Sequence, residues 1–285
     1  MQVIHAPEQL QPYFGCALVP TMGALHDGHG ALIRRMCDRG MPVVATIFVN
    51  PTQFAPREDF AKYPRTFAHD VELAEACGAD AVFAPTAETV YPLGLDAARA
   101  EATEWPLPQV ASQPGLEDAS RPSHFGGVCQ VVARLFDLTR PALAVFGEKD
   151  FQQLRVLTDM VGASRGRWGS LIVEAAPTVR EHDGLAMSSR NRYLLPEQRD
   201  QALGLVRALH AAATAIDARS AETMMRTTLE AHGLTVDYAV VRHASTLLPV
   251  DTWEPPTRAL IAARLGNVRL IDNMSMPIRR ELGNS

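Results

Sequence analysis

Two short tracts hold side chains whose types and spacing could do chemistry: Pro20-Thr21-Met22-Gly23-Ala24-Leu25-His26-Asp27-Gly28-His29 and Met187-Ser188-Ser189-Arg190. The first sets two imidazoles three residues apart. On a helix that spacing puts both on one side of the first turn, where open backbone N–H groups and the helix dipole favour anions. Gly28 between them leaves the backbone accessible to a base or ribose. The second tract offers two hydroxyls and a guanidinium. Together the tracts read as halves of a clamp for the phosphates of ATP. Two plainer readings stay open. His-x-x-His is half of a zinc site, although Cys16, Cys37, Cys77 and Cys129 stand singly; and two histidines can simply satisfy a helix start.

The surrounding residues predict the elements that position these groups. Ala17, Leu18 and Val19 read as a buried strand ended by Pro20, and Leu32, Ile33 and Met36 share one face of the stretch that follows, so the histidine tract is a strand-to-helix turn. A strand over 43–49 leads into Asn50-Pro51-Thr52-Gln53-Phe54, and a helix near 70–77 stops at Gly78. A strand over 81–83, a helix over 128–138, a strand over 143–146 and a helix over 152–160 follow. This alternation predicts an α/β fold, a Rossmann-like doubly wound parallel sheet with ligands at the carboxyl ends of its strands. Three loops fall at that edge: the histidine turn, the loop with Asn50 and Gln53, and Gly147-Glu148-Lys149-Asp150 with Gln152 and Gln153. Each alone could be an ordinary turn. Their shared edge is what suggests one site.

Beyond Pro177 the pattern changes. The loop with Met187 to Arg190 precedes a long helix over 196–216 and a second helix capped by Ser220 and closed at Gly233. A strand follows over 238–241, and strands over 258–265 and 268–271 flank a Gly266-Asn267 hairpin turn. The predicted organisation is a Rossmann-like domain over residues 1–180 and a smaller α+β C-terminal domain over 181–285 that covers the nucleotide.

A chain of 285 residues, 47% hydrophobic, buries a large core and reaches the size at which a second domain is expected. No charged-then-apolar leader and no apolar run near membrane-spanning length are present, which predicts neither secretion nor membrane insertion. Four scattered cysteines suggest reduced thiols in the cytoplasm. The net charge of −5 argues against a nucleic-acid partner. Of 27 basic residues only Lys62 and Lys149 are lysines, so where one occurs a compact ammonium is favoured over a planar guanidinium. Neither Gly-x-Gly-x-x-Gly after the first strand nor Gly-x-x-x-x-Gly-Lys-Ser/Thr occurs, against a dinucleotide dehydrogenase or a P-loop enzyme.

Pro20 to His29, Phe48 to Phe54, Tyr63-Pro64-Arg65-Thr66, His124-Phe125, Val145 to Gln153 and Arg180 to Asn191 closely resemble the pantoate–β-alanine ligase (pantothenate synthetase) family. The resemblance continues through Leu270-Ile271-Asp272-Asn273. The His-x-Gly-His signature is shared with the wider nucleotidyltransferase and class I aminoacyl-tRNA synthetase superfamily; the ordered set is far more specific. The resemblance implies an ATP-dependent ligase of coenzyme A biosynthesis that joins (R)-pantoate to β-alanine through a pantoyl adenylate, releasing AMP and pyrophosphate. It implies a cytoplasmic homodimer with small-molecule substrates, and Mg2+ carried on ATP.

It also implies roles. Met22, Gly23, Ala24, Leu25, His26, Asp27, Gly28 and His29 line the nucleotide site, with His26 and His29 donating to phosphate as pyrophosphate leaves. Lys149 neutralises phosphate charge, while Gly147, Glu148 and Asp150 flank the ribose or adenine. Val179 and Met187 contact adenine, and Ser188, Ser189 and Arg190 close over the phosphates. Gln53 and Gln153, with Asn50, hold pantoate. Gly30 and Gly126 depart from the family, where a bulkier apolar residue and often arginine stand; Arg121 is a further phosphate candidate. Asp70 matches an acidic position that either meets Mg2+ or orders its loop, so the metal ligands stay unassigned. Another nucleotidyltransferase, a class I aminoacyl-tRNA synthetase and a non-catalytic nucleotide-binding module are the alternatives.

Overall fold

The structure is a computed structural model that describes residues 1–54, 60–250 and 256–277; the side chain of Lys62 lies outside the described set. Its contacts divide the chain into two units. One comprises Met1–Glu148 and Gln152–Val179, the other Lys149–Phe151 and the residues from Arg180 onward.

The first unit is built on six strands, β1 (Gln2–Ile4), β2 (Ala17–Thr21), β3 (Val43–Ile47), β4 (Ala81–Phe83), β5 (Leu143–Gly147) and β6 (Ile172–Ala176). They lie in the order β1-β4-β3-β2-β5-β6, every neighbouring pair parallel. β2, β3 and β5 are almost wholly buried, which is why they read as continuous apolar runs. The helix Asp27–Cys37 turns Ile33 and Met36 into a core shared with Val19, Leu25, Val82 and Val145. Each such fully buried side chain contributes roughly 1.5–3 kcal/mol. The winding direction reverses between β2 and β5. The topological switch point therefore lies at their carboxyl ends, the place where doubly wound sheets bind ligands. β2 runs into the histidine tract, and β5 into Glu148 and Lys149.

Two edge strands escaped the sequence reading. β1 has only three residues, and β6 is a half-exposed strand whose Glu174 takes Arg35 and Arg39 as partners, so neither shows an apolar alternation. The helix expected to begin at residue 128 instead spans His124–Thr139. Its first turn contains Gly126 and Gly127, which read as loop but serve close packing. A Cβ on Gly126 would fall 2.1 Å from the Ala102 carbonyl oxygen, and one on Gly127 would fall 2.5 Å from that of Thr52. No arginine fits at position 126.

The second unit is an antiparallel sheet, β7 (Thr235–His243), β8 (Thr257–Leu265) and β9 (Val268–Ser275), in that order. Leu265 pairs with Val268 across the Gly266-Asn267 turn. The helices Gly204–Ala212 and Ala218–Ala231 bring Leu205, Leu209, Met225 and Leu229 into one core with Val241, Ile261 and Leu270. The single long helix expected over 196–216 is two, Pro196–Ala202 and Gly204–Ala212. At the break a Cβ on Gly204 would lie 2.8 Å from His232 Cβ, so the poor helix former at this point is required by packing. Ser220 is not the cap of the next helix. Asp217 is, its Oδ1 accepting from Ser220 N at 2.6 Å; of two capping residue types three apart, the earlier one holds the helix start. Among the described residues no helix is long and apolar enough to cross a membrane.

Candidate active site

His26 is the N-cap of the helix Asp27–Cys37 and His29 sits in its first turn. Each imidazole supports the other's backbone. Gly28 N donates to His26 Nδ1 at 3.2 Å and His26 N donates to His29 Nδ1 at 3.3 Å, a capping box made of two histidines whose rings lie 4.1 Å apart. A ring nitrogen that accepts carries no hydrogen. The neutral tautomer therefore places the proton of both rings on Nε2, as a donor directed away from the cap.

The approach to this helix is held from beneath. Ala24 adopts φ +51°, which costs a residue with a Cβ of order 1 kcal/mol. Asp70, fully buried, accepts from Ala24 N at 2.9 Å, Leu25 N at 2.8 Å and Thr66 Oγ1 at 3.0 Å. Three donors to one carboxylate account for its burial and fix the loop. Asp70 thus orders the loop, and both its oxygens are occupied in doing so.

Gln53 is buried beside this loop. Its Nε2 donates to Met22 Sδ at 3.1 Å, and its Oε1 accepts from Asn50 Nδ2 at 3.1 Å. Asn50 also donates to Gly127 O and accepts from Thr52 N, Thr52 Oγ1 and Tyr91 OH, the last at 2.7 Å. Its amide is spent on the protein, so it orients Gln53. Burial pushes the Tyr91 phenol up to about 12, which keeps it a donor. On the other side His124 Nδ1 donates to the Gln53 carbonyl at 3.3 Å while Arg121 Nη1 reaches His124 Nε2 at 3.2 Å. Met22, Asn50, Gln53, His124 and Arg121 are thereby joined in one network. Tyr91 has no chemical signature in sequence, and His124 stands out only through the family resemblance.

The paired glutamines differ. Gln152 is buried, accepting from Glu117 N and donating to Val110 O and Asp118 Oδ1. Gln153 is half-buried, and its amide makes no hydrogen bond among the described residues. Gly147 ends β5 and Glu148 follows it, while Val179, half-buried, closes the first unit.

Within the second unit Lys149 Nζ lies 3.5 Å from Asp150 Oδ1. Ser188 caps a turn over Ser189–Tyr193 by accepting from Arg190 N at 3.3 Å, and the half-buried Met187 precedes it. Asn191 braces this turn by donating to Glu181 Oε1 and Ala186 O. The Arg190 guanidinium is exposed and has no partner among the described residues.

Gly30 follows His29 because of a neighbour. A Cβ there would stand 2.7 Å from Cys77 Sγ, which accepts from Arg34 Nη1 at 2.8 Å. Burial pushes the Cys16 and Cys129 thiols up to about 12, which disfavours thiolate ligands. Among the described residues no group of three or more His, Cys, Asp or Glu could hold a metal ion, so the histidine pair has no further donors for zinc.

Comparison with known proteins gives a consistent result. The family described as pantoate-beta-alanine ligase matches residues 3–275. The pantothenate synthetase of Rhodopseudomonas palustris (strain HaA2) is 49% identical over 267 residues, 91% of this chain and 90% of the relative. That of Geobacter sulfurreducens is 46% identical over 263 residues, 90% of this chain and 89% of the relative. The crystal structure of pantothenate synthetase from Thermus thermophilus superposes with a TM-score of 0.87 at 40% identity, covering 97% of this chain and 100% of that one. The Francisella tularensis pantoate-beta-alanine ligase, solved with beta-gamma ATP and beta-alanine, gives a TM-score of 0.75 at 27% identity over 96% and 97% of the two chains. The chain belongs to the pantoate–β-alanine ligase family.

Proposed function

We propose that the chain condenses (R)-pantoate with β-alanine in two steps at one site. The pantoate carboxylate attacks the α-phosphorus of ATP, expelling pyrophosphate and leaving pantoyl adenylate. The β-alanine amine then attacks the acyl carbon and AMP departs. Adenylation supplies the leaving group that a free carboxylate lacks.

The observation that supports this reading best is the histidine capping box, which sets two imidazoles at a helix N-terminus, the kind of place where charge growing on a departing pyrophosphate is stabilised. His29 and His26 donate to phosphate oxygens, and Lys149 neutralises the same charge. Ser188, Ser189 and Arg190 close over the phosphates. Met22 to His29, Gly147 to Asp150, Val179 and Met187 hold the nucleotide. Gln53 and Gln153 hold pantoate through amides able to donate or accept without adding charge; Asn50 acts by orienting Gln53. In this division residues 1–180 bind nucleotide and pantoate and residues 181–285 cover the ATP.

Magnesium belongs to the substrate. With both Asp70 oxygens engaged by the loop, the ion is held by ATP phosphates and water. Cytoplasmic residence and a homodimer complete the reading and rest on the family resemblance alone.

Isotope exchange between pyrophosphate and ATP is the test. Exchange that requires pantoate and proceeds without β-alanine is expected; exchange that needs β-alanine, or none at all in an active preparation, would refute the adenylate.

A further inference from the structure

The Leu270-Ile271-Asp272-Asn273 segment matches the family yet holds none of the groups assigned above to substrates. It forms much of β9, the edge of the antiparallel sheet, and both polar residues are buried, Asp272 2% and Asn273 3% exposed. Burying two adjacent polar side chains on an edge strand is costly unless each is fully partnered.

Their partners are the second unit's chemistry-bearing segments. Asn273 Nδ2 donates to the carbonyl oxygen of Lys149 at 2.8 Å, and Asn273 Oδ1 accepts from Arg258 Nε at 2.6 Å. Arg258 is itself buried, donates to Ser275 Oγ at 3.2 Å, and lays its guanidinium over the ring of Phe151 at 3.9 Å. The tripeptide Lys149–Phe151 is therefore gripped at its first residue by a hydrogen bond and at its last by a cation–π contact. Asp272, one residue away, accepts from Arg180 Nη1 at 2.7 Å and Nη2 at 3.0 Å, and Arg180 Nη1 also donates to Gly184 O at 3.1 Å. Arg180 opens the segment that carries Ser188, Ser189 and Arg190. Consecutive residues of one strand thus tether both segments.

We infer that Asn273, backed by Arg258, is a positioning residue that fixes the backbone of Lys149 so that its ammonium meets the phosphates during adenylation. This rests on the proposed role of Lys149. An amide suits position 273, since it donates to a carbonyl and accepts from a guanidinium at once. Aspartate has the same shape, keeps the acceptor and lacks the donor. Displacing a charged group by about 1 Å is enough to cost on the order of 10²-fold in rate.

Lys149 can be watched directly because Lys62 is the only other lysine. Incorporating 13Cε-lysine gives two side-chain resonances in the full-length enzyme, and Lys62→Arg identifies that of Lys149. Asn273→Asp should move or broaden the Lys149 resonance, lower pantoate-dependent pyrophosphate–ATP exchange by about 10- to 10²-fold, and leave the conversion of supplied pantoyl adenylate and β-alanine near wild type. If Asn273→Asp does not fold, Arg258→Lys, which keeps the charge and loses the fork, should move the same resonance and slow the same half-reaction. An unmoved resonance with wild-type exchange overturns the inference, as does an equal fall in both half-reactions. Lys149→Met separates the two levels: if that variant still exchanges normally, the role of Lys149 fails; if it is inactive while Asn273→Asp is normal, only the positioning fails.

Discussion

The carboxylate of Asp70 holds Ala24 in a left-handed backbone conformation, accepting its N–H at 2.9 Å from a position 46 residues further along the chain. Asp70→Asn turns one acceptor into a donor facing a backbone N–H. Stability should fall by roughly 1–3 kcal/mol in urea unfolding, and the KM for ATP should rise as the loop before His26 loosens. An unchanged midpoint would mean that the loop holds its shape unaided.

In the proposed mechanism Lys149→Ala and His29→Ala each remove a donor to developing phosphate charge. Either should lower kcat by roughly 10²–10³-fold. His29→Ala should also cost about 0.5–1 kcal/mol of stability, because the side chain caps its own helix. Steady-state kinetics beside thermal unfolding would separate the two effects, and near-normal turnover in both variants would remove the mechanism.

Gln53→Ala should chiefly raise the KM for pantoate. Tyr91→Phe should reproduce part of that rise, because Tyr91 OH holds Asn50 and Asn50 Nδ2 holds the Gln53 oxygen. Losing one hydrogen bond of about 1 kcal/mol corresponds to a several-fold change. A pantoate dependence unaltered in Gln53→Ala would contradict its assignment.

Arg199 donates to Asp183 Oδ2 at 2.7 Å and to Glu181 Oε2 at 2.6 Å. For Asp183 the Arg199 hydrogen bond is the leading cause that holds its carboxyl below its ordinary value. For Glu181 burial pushes upward, but hydrogen bonds from Arg199 and Asn191 outweigh it. Both carboxylates bind protons less readily folded than unfolded. Their contribution is therefore whole above the ordinary values of 3.8 and 4.5 and is lost as pH falls through the lower folded values. Arg199→Met should cost roughly 1 kcal/mol at neutral pH, and its deficit against wild type should shrink as the pH falls below the ordinary carboxylate values of 4.5 and 3.8. A deficit that stays constant with pH would exclude this linkage.

What sequence revealed follows from where each signal is stored. The central strands, the strand-to-helix turn at His26 and the hairpin at Gly266 are written in local periodicity and turn chemistry. Gly126 and Gly127 read as the residues before a helix that in fact contains them, and Gly204 reads as the interior of one long helix where there is a break, because the reason for each is a distant carbonyl or side chain. Ser220 competes with Asp217 as a cap in the sequence because both are capping types, and only the backbone angle decides for Asp217. Of the supports of Gln53, Asn50 is legible in its own loop, whereas Tyr91 and His124 carry no local signal of their role. Tyr91 acts through Asn50 from 41 residues away and His124 meets Gln53 from 71 residues away, and no spacing rule spans such intervals.

The capping role of His26 and His29, beside the phosphate contacts proposed for them, bears on how this enzyme would decay. In a gene copy released from selection for turnover, both imidazoles would still be favoured as caps, so drift would spare them. Arg190, which no described neighbour requires, would be among the first to go. Inactive descendants should therefore be recognised by what stands at position 190, since an intact histidine pair reports a sound helix and says little about catalysis.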